Sequence, residues 1–431
     1  MNAAWPASTA PATGRFSRFV RTAGEQGRLV VQPRMGFGDV GRMRAGLAAV
    51  RAARGTTAGT ITVDSYTRVN DHASARRALE RGDELNGFPL VTHGAAATGR
   101  MLESVAGEHF PVQVRHGSAV PVELFAALVE LGADATEGGP VSYCLPYSRV
   151  PLRTAVEAWS ACCALAASRP EPMHLETFGG CMLGQLCPPG LLVALSVLEA
   201  MFFGEHGVRS VSVSYAQQTS AAQDLEAVAA LRLLAAEYLS DLDWHGVFYT
   251  YMGVYPRTPL GAYRILEESV RLAVRGGMER LIVKTPAEAH RIPTVAENVA
   301  ALEFAARVAE DERRDPTPRP PSETGILREA RLLIERTLGL GRDVGGSLLA
   351  AFARGLLDVP FCLHRDNANR ARAGIDAHGA LFWADPGRMP VAGRIGRARR
   401  LTAGQLIEFL GYNERRFDAA APTGPLLKEL L

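Results

Sequence analysis

Arg34, Arg68 and Arg115 stand at or just after the ends of three short β-rich runs, residues 29–33, 60–64 and 111–115. A guanidinium grips a carboxylate through two parallel hydrogen bonds and keeps its charge at any working pH. Glu137, closing a weaker run at 133–137, could hold an ammonium. Three positive groups and one negative suit a substrate with two carboxylates and one amino group, an acidic amino acid. Lys284 closes another apolar run, 280–284, and is one of only two lysines, with Lys428, among 47 basic residues. A composition that replaces lysine by arginine almost everywhere else points to a position that needs a compact, titratable ammonium. His93, His116, Tyr143, Tyr147, Glu176, Tyr251, Met252 and Glu288 complete the set of chemistry-bearing residues near run ends.

Residues at strand ends share a site only if the strands run parallel around one centre. Nine runs qualify as strands: 29–33, 60–64, 88–92, 111–115, 133–137, 173–177, 208–215, 246–252 and 280–284. Most are followed by a turn and a helical pattern, which argues for a parallel sheet. Eight or nine such units match an α/β fold of the closed (β/α)8 TIM barrel type, whose active site lies at the carboxyl ends of the strands. Nine candidates for eight places leave one in excess. No G-x-G-x-x-G follows any run, which argues against a dinucleotide-binding sheet. The remaining organisation reads as a flexible tail over 1–24, the barrel over 25–313, a proline-rich linker at 314–324 and a smaller α+β domain from 325 to 431.

Charge and cysteine usage narrow the partners. With 47 basic residues against 45 acidic the net charge is only +2, so nothing advertises nucleic acid or an anionic membrane. The longest apolar stretch, 191–203, is too short to span a bilayer and reads as a buried helix. The six cysteines are scattered and no signal peptide precedes them, which suggests reduced thiols and a cytoplasmic protein. Cys181 and Cys187 have no second pair or nearby histidine cluster, so no metal site is assigned.

Several motifs then occur in order: Val31-Gln32-Pro33-Arg34, Asp64-Ser65-Tyr66-Thr67-Arg68, Asn86-Gly87-Phe88-Pro89, Gln113-Val114-Arg115-His116-Gly117, Glu137-Gly138-Gly139 with Tyr143 and Tyr147, and Lys284-Thr285-Pro286 with Glu288. Together they resemble the epsilon subunit (methylaspartate mutase E chain) family of adenosylcobalamin-dependent glutamate mutases. The resemblance implies a TIM barrel that covers the cobalamin of a separate small subunit carrying D-x-H-x-x-G, as a homodimer within a heterotetramer. The implied reaction is a radical interconversion of glutamate and 3-methylaspartate. By resemblance Arg34, Arg68 and Arg115 grip the substrate carboxylates, while Glu137, Tyr143 and Tyr147 contact its amino group and remaining oxygens. His116, Asn86, Phe178 and Met252 face the cofactor, and Lys284 and Glu288 hold its adenosyl ribose, with Glu137, Lys284 and Glu288 as the catalytic residues.

The chain departs from that pattern in two wall segments. Where the family reads E-P-F-G-P-L-T-G this chain has Glu176-Thr177-Phe178-Gly179-Gly180-Cys181-Met182-Leu183-Gly184, and H-Q-W-M-G becomes Tyr249-Thr250-Tyr251-Met252-Gly253. These changes leave open another acidic amino acid as substrate. A barrel lyase using Lys284 as a Schiff base and a non-catalytic scaffold for the small subunit also stay open. Asp243-Trp244-His245 fails D-x-H-x-x-G, so the cobalt-ligating histidine must come from a partner. His93 and Glu176 read equally well as structural, Glu176 as the partner of an arginine.

Overall fold

The strands of this chain are short, and most are buried on both faces, so each needs helices outside and matched side chains within. The computed structural model describes residues 5–182, 186–314, 325–392 and 401–419. Nine strands form one parallel sheet: β1 (Val30–Pro33), β2 (Thr56–Thr57), β3 (Gly59–Thr62), β4 (Val112–Arg115), β5 (Ala135–Gly138), β6 (His174–Thr177), β7 (Ser210–Ala216), β8 (Asp243–Tyr249) and β9 (Arg280–Val283). β1 pairs with β9 on one side and β2 on the other, while β3 pairs with β4. Only Ala58 separates β2 from β3. Its N–H donates to Val31, whereas the next, from Gly59, donates to Pro111. β2 and β3 are thus one strand handed from one neighbour to the other, and eight strands close a TIM barrel.

The excess strand is residues 88–92. Phe88 makes a single bridge to Val63, and Leu90 already begins the helix Leu90–Glu103. Gly87 explains the near miss, because a Cβ there would lie 2.6 Å from the Val63 carbonyl carbon. The segment brushes the barrel and is turned away by Pro89. The weaker run at 133–137 is a barrel strand, and β8 starts at Asp243, so residues 250–252 lie beyond its end.

Part of the expected flexible tail is ordered. Gly14–Glu25 form a helix whose Phe16, Val20 and Ala23 are buried, a helical stripe hidden in a polar context. Phe16 is fully buried and closes the amino end of the barrel, stacked 5.1 Å from His174 with the Arg280 guanidinium 4.8 Å from its ring. The apolar stretch 191–203 lies in the helix Pro189–Glu205, which is apolar on nearly every side. Such a helix must be covered all round. The helices Gly325–Leu338 and Val344–Arg354 supply the outer cover, and their Leu333, Ile334 and Leu348 join the same apolar core as the barrel.

The remaining carboxyl-terminal elements are the antiparallel pair β10 (Arg372–Ile375) and β11 (Leu381–Asp385) and the helices Ala403–Leu410 and Tyr412–Ala419. Asp418 accepts from the backbone of Arg257 and Thr258, so the last of these helices steadies the loop that follows β8. The segment 315–324, nearly all of the proline-rich linker, and Lys428 lie outside the described residues. Among the described residues no helix is long and apolar enough to cross a membrane. All six cysteines are buried and unpaired.

Candidate active site

Alternation along each strand aims every second side chain at the barrel axis. In β7 this gives serines inside and valines outside; in β4 it aims Gln113 and Arg115 inward. The middle of the barrel is therefore a hydrogen-bonded polar layer. Gln32 donates to Thr60 at 2.8 Å and to Gln113 at 2.7 Å, while Arg280 reaches Gln32 at 2.6 Å and pairs with Glu176. Glu176 is thus the partner of an arginine, as the structural reading expects. A polar interior of this kind survives burial only when its members satisfy one another.

Above that layer, at the carboxyl ends of the strands, Arg34, Arg68, Arg115, His116, Glu137, Tyr143, Tyr147, Phe178 and Met252 line one cavity of about 120 Å³. That volume is far below the 300–1,000 Å³ of drug-sized sites and suits a small metabolite. Arg115 is buried, with Nε 2.6 Å from Glu137 Oε2. Glu137 also accepts from the Tyr143 hydroxyl and from Tyr249 at 2.9 Å. Burial, reinforced by the Glu137 charge, pushes the Tyr143 phenol up, so it remains a donor.

Arg68 owes its place to Asp64, whose carboxylate caps the one-turn helix Ser65–Arg68 through the N–H groups of Tyr66 and Thr67. Arg68 Nε donates to the His116 carbonyl at 3.2 Å, and no carboxylate pairs with it among the described residues. Gly117, at φ +69°, makes this possible: a Cβ there would sit 3.1 Å from Arg68 Nε. Arg34 pairs with Glu288 at 3.2 Å and touches the Met252 sulfur at 3.9 Å. Glu288 uses its other oxygen to accept from the Thr285 N–H, completing a capping box.

Lys284 is only 6% exposed, and its ammonium lies 4.1 Å from the centre of the Tyr255 ring. No hydrogen-bond acceptor or carboxylate within bonding distance pairs with it among the described residues. Burial pulls its pKa down to about 8, with Glu288 opposing and Arg34 adding to the shift. His116 accepts the Ser118 N–H at Nδ1, which places its ring proton on Nε2, and burial lowers its pKa to about 3. It is a neutral ring packed between Trp159 and Tyr143.

Of the expected residues, Arg34, Arg68, Arg115, His116, Glu137, Tyr143, Tyr147, Phe178 and Met252 line the cavity, Glu288 stands behind it on Arg34 with Lys284 alongside, and Asn86 lies apart. Asn86 is exposed, does not line the cavity and uses its Oδ1 to accept the Ser65 N–H, one turn before Arg68. His93 is tied to the Gly38 carbonyl. Asp243 and His245 lie at the amino end of β8, the opposite end of the barrel from the cavity. The sequence gives no site role to Thr62, Gly117, Tyr249 or Tyr255, although Tyr249 stands in register with the inward residues of β8.

The loop that carries Tyr143 is held from outside the cavity. Glu199, buried on the helix Pro189–Glu205, accepts the N–H groups of Val141 and Ser142 and the Ser142 hydroxyl. Gly139 leaves room for that carboxylate, since a Cβ there would lie 2.0 Å from Glu199 Oε1 and push it away. Burial raises the Glu199 pKa to about 7, against the pull of the Ser142 and Val141 bonds, from an ordinary 4.5. The native state then binds the proton more tightly than the unfolded chain, so this contribution is fully present below about pH 4.5 and lost as pH rises through about 7. Glu199→Gln keeps an oxygen for the two N–H groups, reverses the Ser142 bond so that the amide donates to the hydroxyl, and cannot ionise. It should be more heat-stable than the parent at pH 8, by up to about 3 kcal/mol, with the gap shrinking toward pH 5; thermal melts across that range check it.

A sequence profile of the methylaspartate mutase E chain family matches residues 10–407. Among similar proteins, the glutamate mutase epsilon subunit of Desulfitobacterium hafniense is 34% identical over 78% of this chain and 72% of its own. The protein of the same name from Yersinia enterocolitica is 32% identical, covering 77% and 72%. That from Escherichia coli O157:H7 is 31% identical, covering 89% and 82%.

Proposed function

The chain belongs to the methylaspartate mutase E chain family, and we propose that it is the catalytic subunit of an adenosylcobalamin-dependent glutamate mutase interconverting L-glutamate and 3-methylaspartate. One observation carries this reading: three guanidiniums and the Glu137 carboxylate converge on a single cavity of about 120 Å³. Arg34, Arg68 and Arg115 outnumber Glu137 in the cavity lining, so the cavity favours a ligand with net negative charge, such as an amino acid with two carboxylates. Arg68, with no ionic partner among the described residues, is free to take a carboxylate outright. Arg34 and Arg115 can share theirs with a ligand.

The largely buried Lys284, whose ammonium meets no protein acceptor among the described residues, is the feature that fits the cofactor. Such a group costs free energy unless something hydrogen-bonds it, and ribose hydroxyls would do so, with Glu288 beside it to accept in turn. Bound adenosylcobalamin would supply the homolytic bond cleavage that starts radical chemistry. The chain's own part is to fix both substrate carboxylates, hold the amino group on Glu137 and exclude water while the carbon skeleton rearranges. Tyr143 donates to Glu137 and keeps that carboxylate aimed at the cavity, and Phe178, Met252 and Tyr147 wall it.

Around the mouth, Val69, Tyr147, Val254 and Ile292 expose large apolar side chains on the loops after the strands, joined by Leu363 beside the Leu145–Val150 loop. A rim of this composition suits a partner that covers the opening, and the reading assigns it to the small cobalamin-binding subunit.

A second reading has support from Lys284, since an amine with a pKa near 8 suits a Schiff-base lyase. The test supplies a small D-x-H-x-x-G subunit, adenosylcobalamin and L-glutamate, and follows 3-methylaspartate by proton NMR. Product formation that requires all three supports the mutase. A borohydride-trapped substrate adduct on Lys284 would sink it in favour of the lyase.

A further inference from the structure

Directly beneath the cavity, Tyr249 joins two arginine-carboxylate pairs. Its hydroxyl lies between Glu137 Oε2, 2.9 Å away on the cavity side, and Glu176 Oε1 below, the two carboxylates sharing its one proton, and Arg115 Nη2 approaches its oxygen at 3.4 Å. The Arg115 guanidinium also sits 5.1 Å from the centre of the Tyr249 ring. The lower anchor is rigid: Glu176 is fully buried and held by Arg280, Gln113 and Ser212. Burial, with the charges of Glu137 and Glu176 and against that of Arg115, pushes the Tyr249 phenol up, so it keeps its proton.

A carboxylate has about four acceptor sites. On Glu137, Oε2 faces Arg115 and the Tyr249 hydroxyl that it shares with Glu176, and Oε1 accepts from Tyr143, which leaves one site on Oε1 for a ligand. Arg115 meets Glu137 through Nε while its Nη2 is engaged by the Tyr249 oxygen. Without that hydroxyl, Nη2 is free to close the bidentate fork on Glu137 that arginine and carboxylate prefer. Closing it would turn Glu137 away from the ligand.

We infer that Tyr249 is a positioning residue for the amino-group subsite: by holding Arg115 and Glu137 apart from a full fork, it keeps one Glu137 oxygen open for a substrate ammonium and so selects amino diacids over plain diacids. The inference rests on the reading of the cavity as an acidic amino acid site.

Calorimetric titration of the full chain with L-glutamate and with glutarate, which lacks only the amino group, tests it. The parent chain is expected to favour glutamate. Tyr249→Phe, which keeps the ring beneath Arg115, should bind glutamate roughly tenfold more weakly and glutarate nearly unchanged. Glu176→Gln, which removes the charge of the lower anchor but keeps its shape, should show the same pattern to a smaller degree. Equal losses on both ligands, or no loss on glutamate, would overturn the role given to Tyr249 and leave the substrate reading standing. A parent chain that does not prefer glutamate over glutarate would defeat the substrate reading, and the Tyr249 inference with it.

Discussion

Arg115→Lys is expected to lower kcat/KM for the acidic amino acid by about 10³-fold while the barrel stays folded. Both halves of that expectation come from the contacts of one side chain. Arg115 donates Nε to Glu137 at 2.6 Å, approaches the Tyr249 oxygen at 3.4 Å and stacks on the Tyr249 ring, with further N–H groups left for a ligand. A lysine ammonium keeps the charge but is a single point on a flexible stem, so it can meet Glu137 or a substrate carboxylate but not both in fixed geometry. Disturbing a buried, hydrogen-bonded charge pair costs roughly 3–5 kcal/mol when one partner is lost outright. Here the charge survives, so the loss falls on the oriented bonds to a ligand, and 4 kcal/mol in the transition state is about 10³ in rate. Steady-state kinetics beside a thermal melt separates the two halves. Equal collapse of stability and activity would make Arg115 a structural ion-pair partner instead of a substrate clamp.

What could be read from the sequence divides along a physical line. The barrel was legible because buried parallel strands are short apolar runs with a turn and a helix after each, and because positions at their carboxyl ends have a predictable direction. Hence Arg34, Arg68, Arg115 and Glu137 could be placed at one mouth from spacing alone. The strand count was misread at Phe88, where β propensity is right but Gly87 brings the backbone against Val63 for only one bridge. The helix Gly14–Glu25 escaped because arginines intersperse its apolar positions, and only a barrel end to plug gives Phe16 a reason to be buried. Asn86 illustrates a different limit. Its neighbours follow the family pattern, yet its side chain caps Ser65, a local choice between backbone and cavity that spacing does not decide. Tyr249 was visible as a departure but not as a bridge, because Glu137 and Glu176 lie 39 positions apart and meet on one hydroxyl only through strand register.

Lys284→Ala should leave assembly with a cobalamin-binding subunit intact while turnover falls by about ten- to a hundredfold. The ammonium follows the end of β9 in a residue 6% exposed, against Tyr255, and pairs with no carboxylate among the described residues, so only its contact with that ring ties it to the fold. Removing it even relieves a desolvation cost, the same cost that brings its pKa down to about 8. Stability of the variant should therefore match or slightly exceed that of the parent, whereas a lysine kept for the fold would give the opposite. What the ammonium offers is unspent hydrogen-bonding capacity next to Glu288 and Arg34, and a charged hydrogen bond in a dry site is worth roughly 1.5–3 kcal/mol, or about ten- to a hundredfold. The purified chain alone should bind adenosylcobalamin weakly and show no turnover, because Asp243 and His245, its faint echo of a cobalamin motif, lie at the other end of β8. Adding the small subunit should tighten cofactor binding, and cofactor should tighten the subunits by the same factor, since the two equilibria are linked. Sedimentation measures assembly, equilibrium dialysis measures cofactor affinity, and NMR measures product. Undiminished turnover in the variant, or full activity from this polypeptide by itself, would remove Lys284 from the cofactor side of the site.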